Sequence, residues 1–191
     1  MESKSSVLLA KLRKAFQEVG DPVRAPVMQA YMKSAMPYHG VPTPLLRQVC
    51  KAVFLDVEFA TGALWRLQVL DLWRNARFRE ERYAALYLAG DRRAVPFQTP
   101  SAMKMYEELI VTGAWWDYVD DLASHRVGPI LKAYPAPMRR KMLAWSKPTT
   151  CGSGVPRSYA NSDSSKKRIW NCCMPALNLR WDRGNSSFRR Q

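Results

Sequence analysis

Cysteine, histidine, acid and long apolar runs are all scarce in this chain, and each scarcity removes a class of protein. The four cysteines, Cys50, Cys151, Cys172 and Cys173, have no paired CxxC spacing, so free thiols in a reducing compartment are expected. Of the two histidines, His39 and His125, neither has a carboxylate or cysteine at metal-ligand spacing, and no metal and no cofactor is expected. There is no Gly-rich phosphate loop, no nucleophile elbow and no period-two strand pattern. No apolar stretch approaches the ~20 residues that span a bilayer. The first residues, MESKSSVLLAKLRK, interrupt a short apolar run with charge, unlike a secretory signal. A soluble intracellular protein is expected, cytoplasmic in a prokaryote or nuclear in a eukaryote, with no membrane partner.

What is present is positive charge and enough apolar residue to build a core. The 191 residues are 47% hydrophobic, which excludes a disordered chain and allows a single domain. Thirty Lys and Arg against 16 Asp and Glu give a net charge of +14, the signature of a polyanion binder.

Helical periodicity runs through the first 147 residues. Ser5 or Ser6 caps a helix with Leu8, Leu12, Phe16 and Val19 on one face, ending near Gly20-Asp21-Pro22. Further helices are expected at 24–35, from Thr43 as cap with Pro44 at the first helical position to Phe54, at 59–75, and at 79–88. After a basic loop at Arg92-Arg93, others are expected from Thr99 to a stop at Thr112-Gly113, from Ala114, at 127–133 and at 137–146. Helices of this length joined by short Pro or Gly turns suggest antiparallel pairs stacked as a solenoid. No exact repeat is visible, so composition alone leaves a plain helical bundle as the alternative.

From residue 148 the character changes. Residues 148–191 hold few branched aliphatics and eight basic residues against Asp163 and Asp182. With no helical period, this segment is expected to be a disordered or non-native basic tail, distinct from the 1–147 domain. A frame shift explains it better than a DNA-binding arm. Behind Trp170-Asn171-Cys172-Cys173, reading from the last nucleotide of the Trp codon forces Glu-Leu-Leu for every synonymous choice. With permitted codons, 168–190 becomes the amphipathic DLELLYACIEPSLGQREFFISKA.

The chemistry-bearing stretch is Trp115-Trp116-Asp117-Tyr118-Val119-Asp120-Asp121, two indoles and three carboxylates within a basic protein. On a helix, Trp116 and Asp120 share a face, so an indole and a carboxylate can meet one ligand. For an arbitrary pair the ordinary reading is a core Trp and a solvated Asp. Here the run EELIVTGAWWDYVDDLA resembles the signature of the AlkD-type DNA alkylation repair glycosylases, enzymes built from HEAT-like helical repeats. The run YMKSAMPYHGVPTPLLRQVCK, from Tyr31 to Lys51, resembles that family's first segment, and the two lie a family-like distance apart.

The resemblance implies an all-α fold, a HEAT-like solenoid of stacked antiparallel helix pairs, truncated and followed by the irregular tail. It implies a DNA repair N-glycosylase that hydrolyses the glycosidic bond of 3-methyladenine or 7-methylguanine in double-stranded DNA. The catalytic positions are then Asp120 and Trp116, and Tyr31 matches an aromatic of the DNA groove. Charge adds Lys33, Arg47, Lys51, Arg126, Lys132, Arg139 and Arg140 as backbone contacts, with Trp115 beside them. A monomer is expected. The family's later arginine and C-terminal tryptophan fall in the region the tail replaces, and neither Trp170 nor Trp181 sits in matching surroundings, which puts the activity of this chain in doubt. The rivals are a non-catalytic DNA-binding helical-repeat module and a protein-interaction scaffold.

Overall fold

The computed structural model describes residues 4–146, with side chains from 7 to 142, and two short segments beyond. The first span is helical, as the periodicity demands and consistent with a helical-repeat architecture. The chain divides into two compact units, Met1–Val95 and Pro96–Gln191. No helix among the described residues is long and apolar enough to cross a membrane.

The first unit holds α1 (Lys4–Val19), α2 (Arg24–Tyr31), α3 (Thr43–Val53), α4 (Gly62–Arg74) and α5 (Arg79–Ala89). Helix α1 buries Leu8, Leu12 and Phe16 against α3 and α4, and α4 packs along α5 through Trp65, Val69, Leu72 and Trp73. Those four recur at helical spacing, so one face of α4 is all core. The Thr61 hydroxyl accepts the Leu64 amide at 3.2 Å and caps α4, while Pro44 opens α3. Several boundaries differ from expectation: Ser5 and Ser6 lie inside α1 and neither caps it, and α4 begins at Gly62, three residues late, because Thr61 is its cap. Thr43 lies inside α3 with Pro42 as the cap residue, and α2 stops at Tyr31, four residues early, because Lys33 takes a left-handed φ of 46°.

The first turn of α5 organises this unit. Arg79, Glu80 and Glu81 are all buried. The Glu80 carboxylate accepts three backbone amides, from His39 and Gly40 at 3.0 Å and Val41 at 3.1 Å. Gly40 is left-handed at φ +82°, and a Cβ there would lie 2.1 Å from the Asp21 carbonyl, so the loop admits no other residue without rebuilding. Glu81 takes Arg13 Nε at 2.9 Å and the Arg77 amide at 2.6 Å, with His39 Nε2 at 3.7 Å. Burial alone would raise the Glu81 pKa, but His39, Arg13 and the Arg77 amide together hold it down at about 2.

The second unit holds α6 (Met103–Gly113), α7 (Trp116–Leu122), α8 (Gly128–Ala133) and α9 (Pro135–Ser146). Tyr106, Leu109 and Ile110 of α6 are buried, as are Tyr118 and Val119 of α7, Ile130 and Leu131 of α8, and Met138 and Met142 of α9. Lys141 Nζ pairs with Glu107 across α9 and α6 at 2.9 Å. The 99–111 helix begins later than expected, a 3-10 turn over Pro100–Ala102 preceding α6, and the basic loop at Arg92 is itself a 3-10 turn, Arg92–Phe97. Of residues 148–191, the structure describes an antiparallel ribbon of β1 (Leu179–Asp182) and β2 (Ser187–Arg190), with Arg180 opposite Arg189. The rest of the expected tail lies outside the described residues.

Two measurements probe the α5 brace. Glu80→Ala leaves three buried amides without an acceptor and should lower stability by about 3 kcal/mol, read as a lower urea midpoint, with Glu80→Gln costing less. The Glu81 carboxyl is depressed below its ordinary 4.5, so its contribution is present above that value and lost as pH falls toward 2. Acid unfolding of Glu81→Gln should lack that component, and a parent and variant with parallel acid profiles would contradict the assignment.

Candidate nucleic acid interface and acidic site

The Trp-Asp stretch begins at a sharp break in the chain. Ala114 closes α6 in the left-handed region at φ 47°, its amide bonding the Ile110 carbonyl at 3.0 Å. Sequence reasoning gave the stop to Gly113, yet Gly113 is helical and Ala114 takes the strained position. Trp115 is then extended and caps α7 through its carbonyl, which accepts the Val119 amide at 3.1 Å. Helix α7 thus starts two residues later than expected.

Helix α7 is two-faced. Tyr118, Val119 and Leu122 are buried, while Trp116 is 49% exposed and Asp117, Asp120 and Asp121 are half-buried. Trp116 and Asp120, one turn apart, share the face away from that core, as the spacing required. This decides against a core Trp116. Asp117 lies in the first turn, where unpaired amides favour a carboxylate.

Beyond Leu122 the helix does not end. A π-helical turn over Ala123–Val127 carries it into α8, so residues 116–133 form one path in place of the two separate helices expected. A π-turn accommodates one extra residue and turns the side chains that follow it. A Cβ on Gly128 would lie 3.0 Å from the Ala123 carbonyl, which favours glycine at the exit. Within the turn, His125 Nδ1 sits 3.2 Å from Asp121 Oδ1, so a carboxylate does stand one turn from His125, contrary to the sequence reading. Among the described residues no group of three or more metal-ligating side chains gathers.

Arg126 is the least exposed of the expected backbone contacts. It is half-buried, its Nε buried without a hydrogen-bond partner and its Nη1 donating to the His125 carbonyl at 3.1 Å. Burial pushes the Tyr106 hydroxyl pKa up, with Gln98 and Arg126 opposing and Asp121 reinforcing, which puts Asp121 and Arg126 in one electrostatic neighbourhood. Lys132 on α8 and Arg139 and Arg140 on α9 are exposed.

The other expected contacts belong to the first unit. Tyr31, the last residue of α2, is 81% exposed, an unusual setting for a tyrosine, and Lys33 follows it exposed. Exposed Arg47 donates from Nε to the Tyr87 hydroxyl at 2.9 Å and lies over the Tyr87 ring, 5.8 Å from its centroid. Three residues on in α3, Cys50 is buried, and desolvation pushes its thiol up to about 12.

Glu80, Glu81 and Tyr87 are the residues that sequence reasoning missed, since REERYAALYLAG was read for its helix alone. The signal was there: two carboxylates opening a helix whose next turns are apolar. The Tyr31–Lys51 segment also divides. Tyr31, Lys33 and Arg47 are exposed, whereas His39-Gly40-Val41 is held by Glu80 and braces the fold.

Replacing strained Ala114 by Gly should raise stability by about 1 kcal/mol, and Ala114→Val should lower it by more than that, because a β-branched residue is worst at positive φ. A thermal melt in which glycine is the less stable variant would contradict the left-handed cap.

No curated protein matches the chain closely enough to serve as a relative. The model of one protein family, described as DNA alkylation repair enzyme, matches residues 12–150. That span contains both units' described helices almost entire, with Trp116, Asp120 and every exposed cation considered above, and the chain belongs to the DNA alkylation repair enzyme family.

Proposed function

We propose that the activity encoded by this domain is that of a DNA N-glycosylase of the AlkD type, which releases cationic alkylated purines such as 3-methyladenine and 7-methylguanine from duplex DNA. The observation that carries this reading is an exposed Trp116 one helical turn from Asp120 in a protein of net charge +14. A carboxylate at a DNA surface repels phosphate, so its presence needs positive charge on the other side. A deoxyribose losing its base supplies that charge as C1′ becomes oxocarbenium-like, and Asp120 stabilises it where it develops. The glycosidic electron pair leaves with a base that is already cationic, so little acid catalysis is required. Water adds at C1′ and gives up its proton. Trp116 offers an indole face to the sugar, and the base need not enter a pocket as it does in most glycosylases.

The phosphates are met by exposed cations, Lys33 and Arg47 in the first unit, which also presents Tyr31, and Lys132 in the second, which also holds Trp115 and Arg126. The frame-shift reading of 148–191 belongs to the same proposal, and it is supported by a family match that stops at residue 150, where the composition changes.

The test is release of 7-methylguanine from methylated duplex DNA by this chain, by its Asp120→Asn variant, and by a chain restored to the neighbouring frame after residue 147. Asp120→Asn should lower release about 100-fold while leaving binding equal or tighter. Release by the restored chain alone assigns the lost activity to the tail. If Asp120→Asn releases base as fast as its parent, or if neither frame releases any, the chemistry proposed is wrong and a binding module takes its place.

A further inference from the structure

On the first unit, α1, the turn after α3 and the start of α4 frame a groove of about 520 Å³. Three aliphatic side chains line it and stay in solvent: Val7 of α1 is 42% exposed, and Leu64 and Leu67 of α4 are 46% and 57% exposed. Single exposed aliphatics are ordinary on a protein surface, but three that converge on one groove mark an interaction site. A small ligand needs most of its surface covered, and walls this exposed would leave it in water. An element that brings its own surface fits better.

The polar residues of the groove say what kind of element. Asp56 and Glu58 stand on the turn, both exposed, and among the described residues neither carboxylate has an ion pair or hydrogen bond. Gln68 of α4 adds a third acceptor: its Oε1 is buried without a hydrogen-bond partner among the described residues, while its Nε2 donates to the Glu58 carbonyl at 3.4 Å. Against these acceptors stands one cation, Lys11. On a chain of net charge +14, this one groove disfavours phosphate and favours a Lys or Arg side chain. The turn is also held in place. Arg93 donates to the carbonyls of Phe54 at 2.8 Å and Val57 at 2.7 Å, and Gln68 to that of Glu58, so the groove exists before anything binds.

We propose that this groove binds a cationic amphipathic helix of a protein partner, whose apolar side chains seat among Val7, Leu64 and Leu67 and whose Lys or Arg residues reach Asp56, Glu58 and the Gln68 side-chain oxygen. Leu64 and Leu67 are about one turn apart on α4, the spacing at which a partner helix interdigitates. The inference is independent of the glycosylase reading. It gives the first unit an acidic, apolar face for protein in a chain whose charge otherwise favours polyanions.

The experiment selects binders to the full chain from a displayed library of randomised helix-forming peptides of about 15 residues, in parallel against the parent and the double variant Leu64→Ser, Leu67→Ser. Peptides enriched on the parent and lost on the variant should carry apolar residues at three- and four-residue spacing flanked by Lys or Arg. One such peptide is then made and titrated. The leucine variant should bind it about 10-fold more weakly or worse, and the carboxylate variant Asp56→Asn, Glu58→Gln about fivefold more weakly. Both variants should keep the parent's urea midpoint, because all four residues are exposed. A parent that enriches no peptide over the leucine variant, or enriches acidic ones, overturns the proposal, as does undiminished affinity in the carboxylate variant. Self-association of the parent that the leucine variant loses would give the groove to a second copy instead. A fall in duplex DNA affinity in that variant would give it to DNA, and either result sinks the protein-partner assignment.

Discussion

One carboxylate holding three backbone amides is the contact on which the first unit depends. Glu80 stands in the first turn of α5 and gathers His39, Gly40 and Val41, and Glu81 beside it takes Arg13 and Arg77. A buried carboxylate is tolerable when its lone pairs are filled, and here the donors come from the chain segments that α5 must anchor. The left-handed Gly40 exists so that the loop can come within reach. Lose either half and the helix end of α5 has nothing to brace.

Negative charge is used in two opposed ways in a protein dominated by positive charge. The α5 pair is internal and committed to the fold. The α7 set, Asp117, Asp120 and Asp121, is half-buried and keeps a face beside an exposed indole. The first needs no ligand to explain it. The second has a fold-level account for Asp117, at a helix start, and for Asp121, beside His125 at 3.2 Å, while Asp120 lies one turn from Trp116 on the same face.

The helical class was legible because apolar spacing is a property of each segment alone: Trp65, Val69, Leu72 and Trp73 announce a buried face without any knowledge of what covers it. The shared face of Trp116 and Asp120 was legible for the same reason. What escaped depended on partners distant in sequence or on backbone energetics that residue type does not reveal. Nothing local in REERYAALYLAG says that its two glutamates reach forty and sixty-eight residues back. Gly113 was the natural helix stop by type, and the strained Ala114 wins because the turn into Trp115 is set by the packing of α6 and α7. The π-turn at 123–127 was hidden too, since Ser124 and His125 break the apolar rhythm as a loop would.

Cys50 has a chemical consequence of its own. A protein of a family that deals with alkylated DNA meets the same electrophiles that damaged the DNA, and it is the thiolate that they attack. Burial pushes the Cys50 thiol up to about 12, away from the thiolate form that such electrophiles attack. The one described cysteine of the chain is thereby held in its less nucleophilic form by the same packing that builds the core.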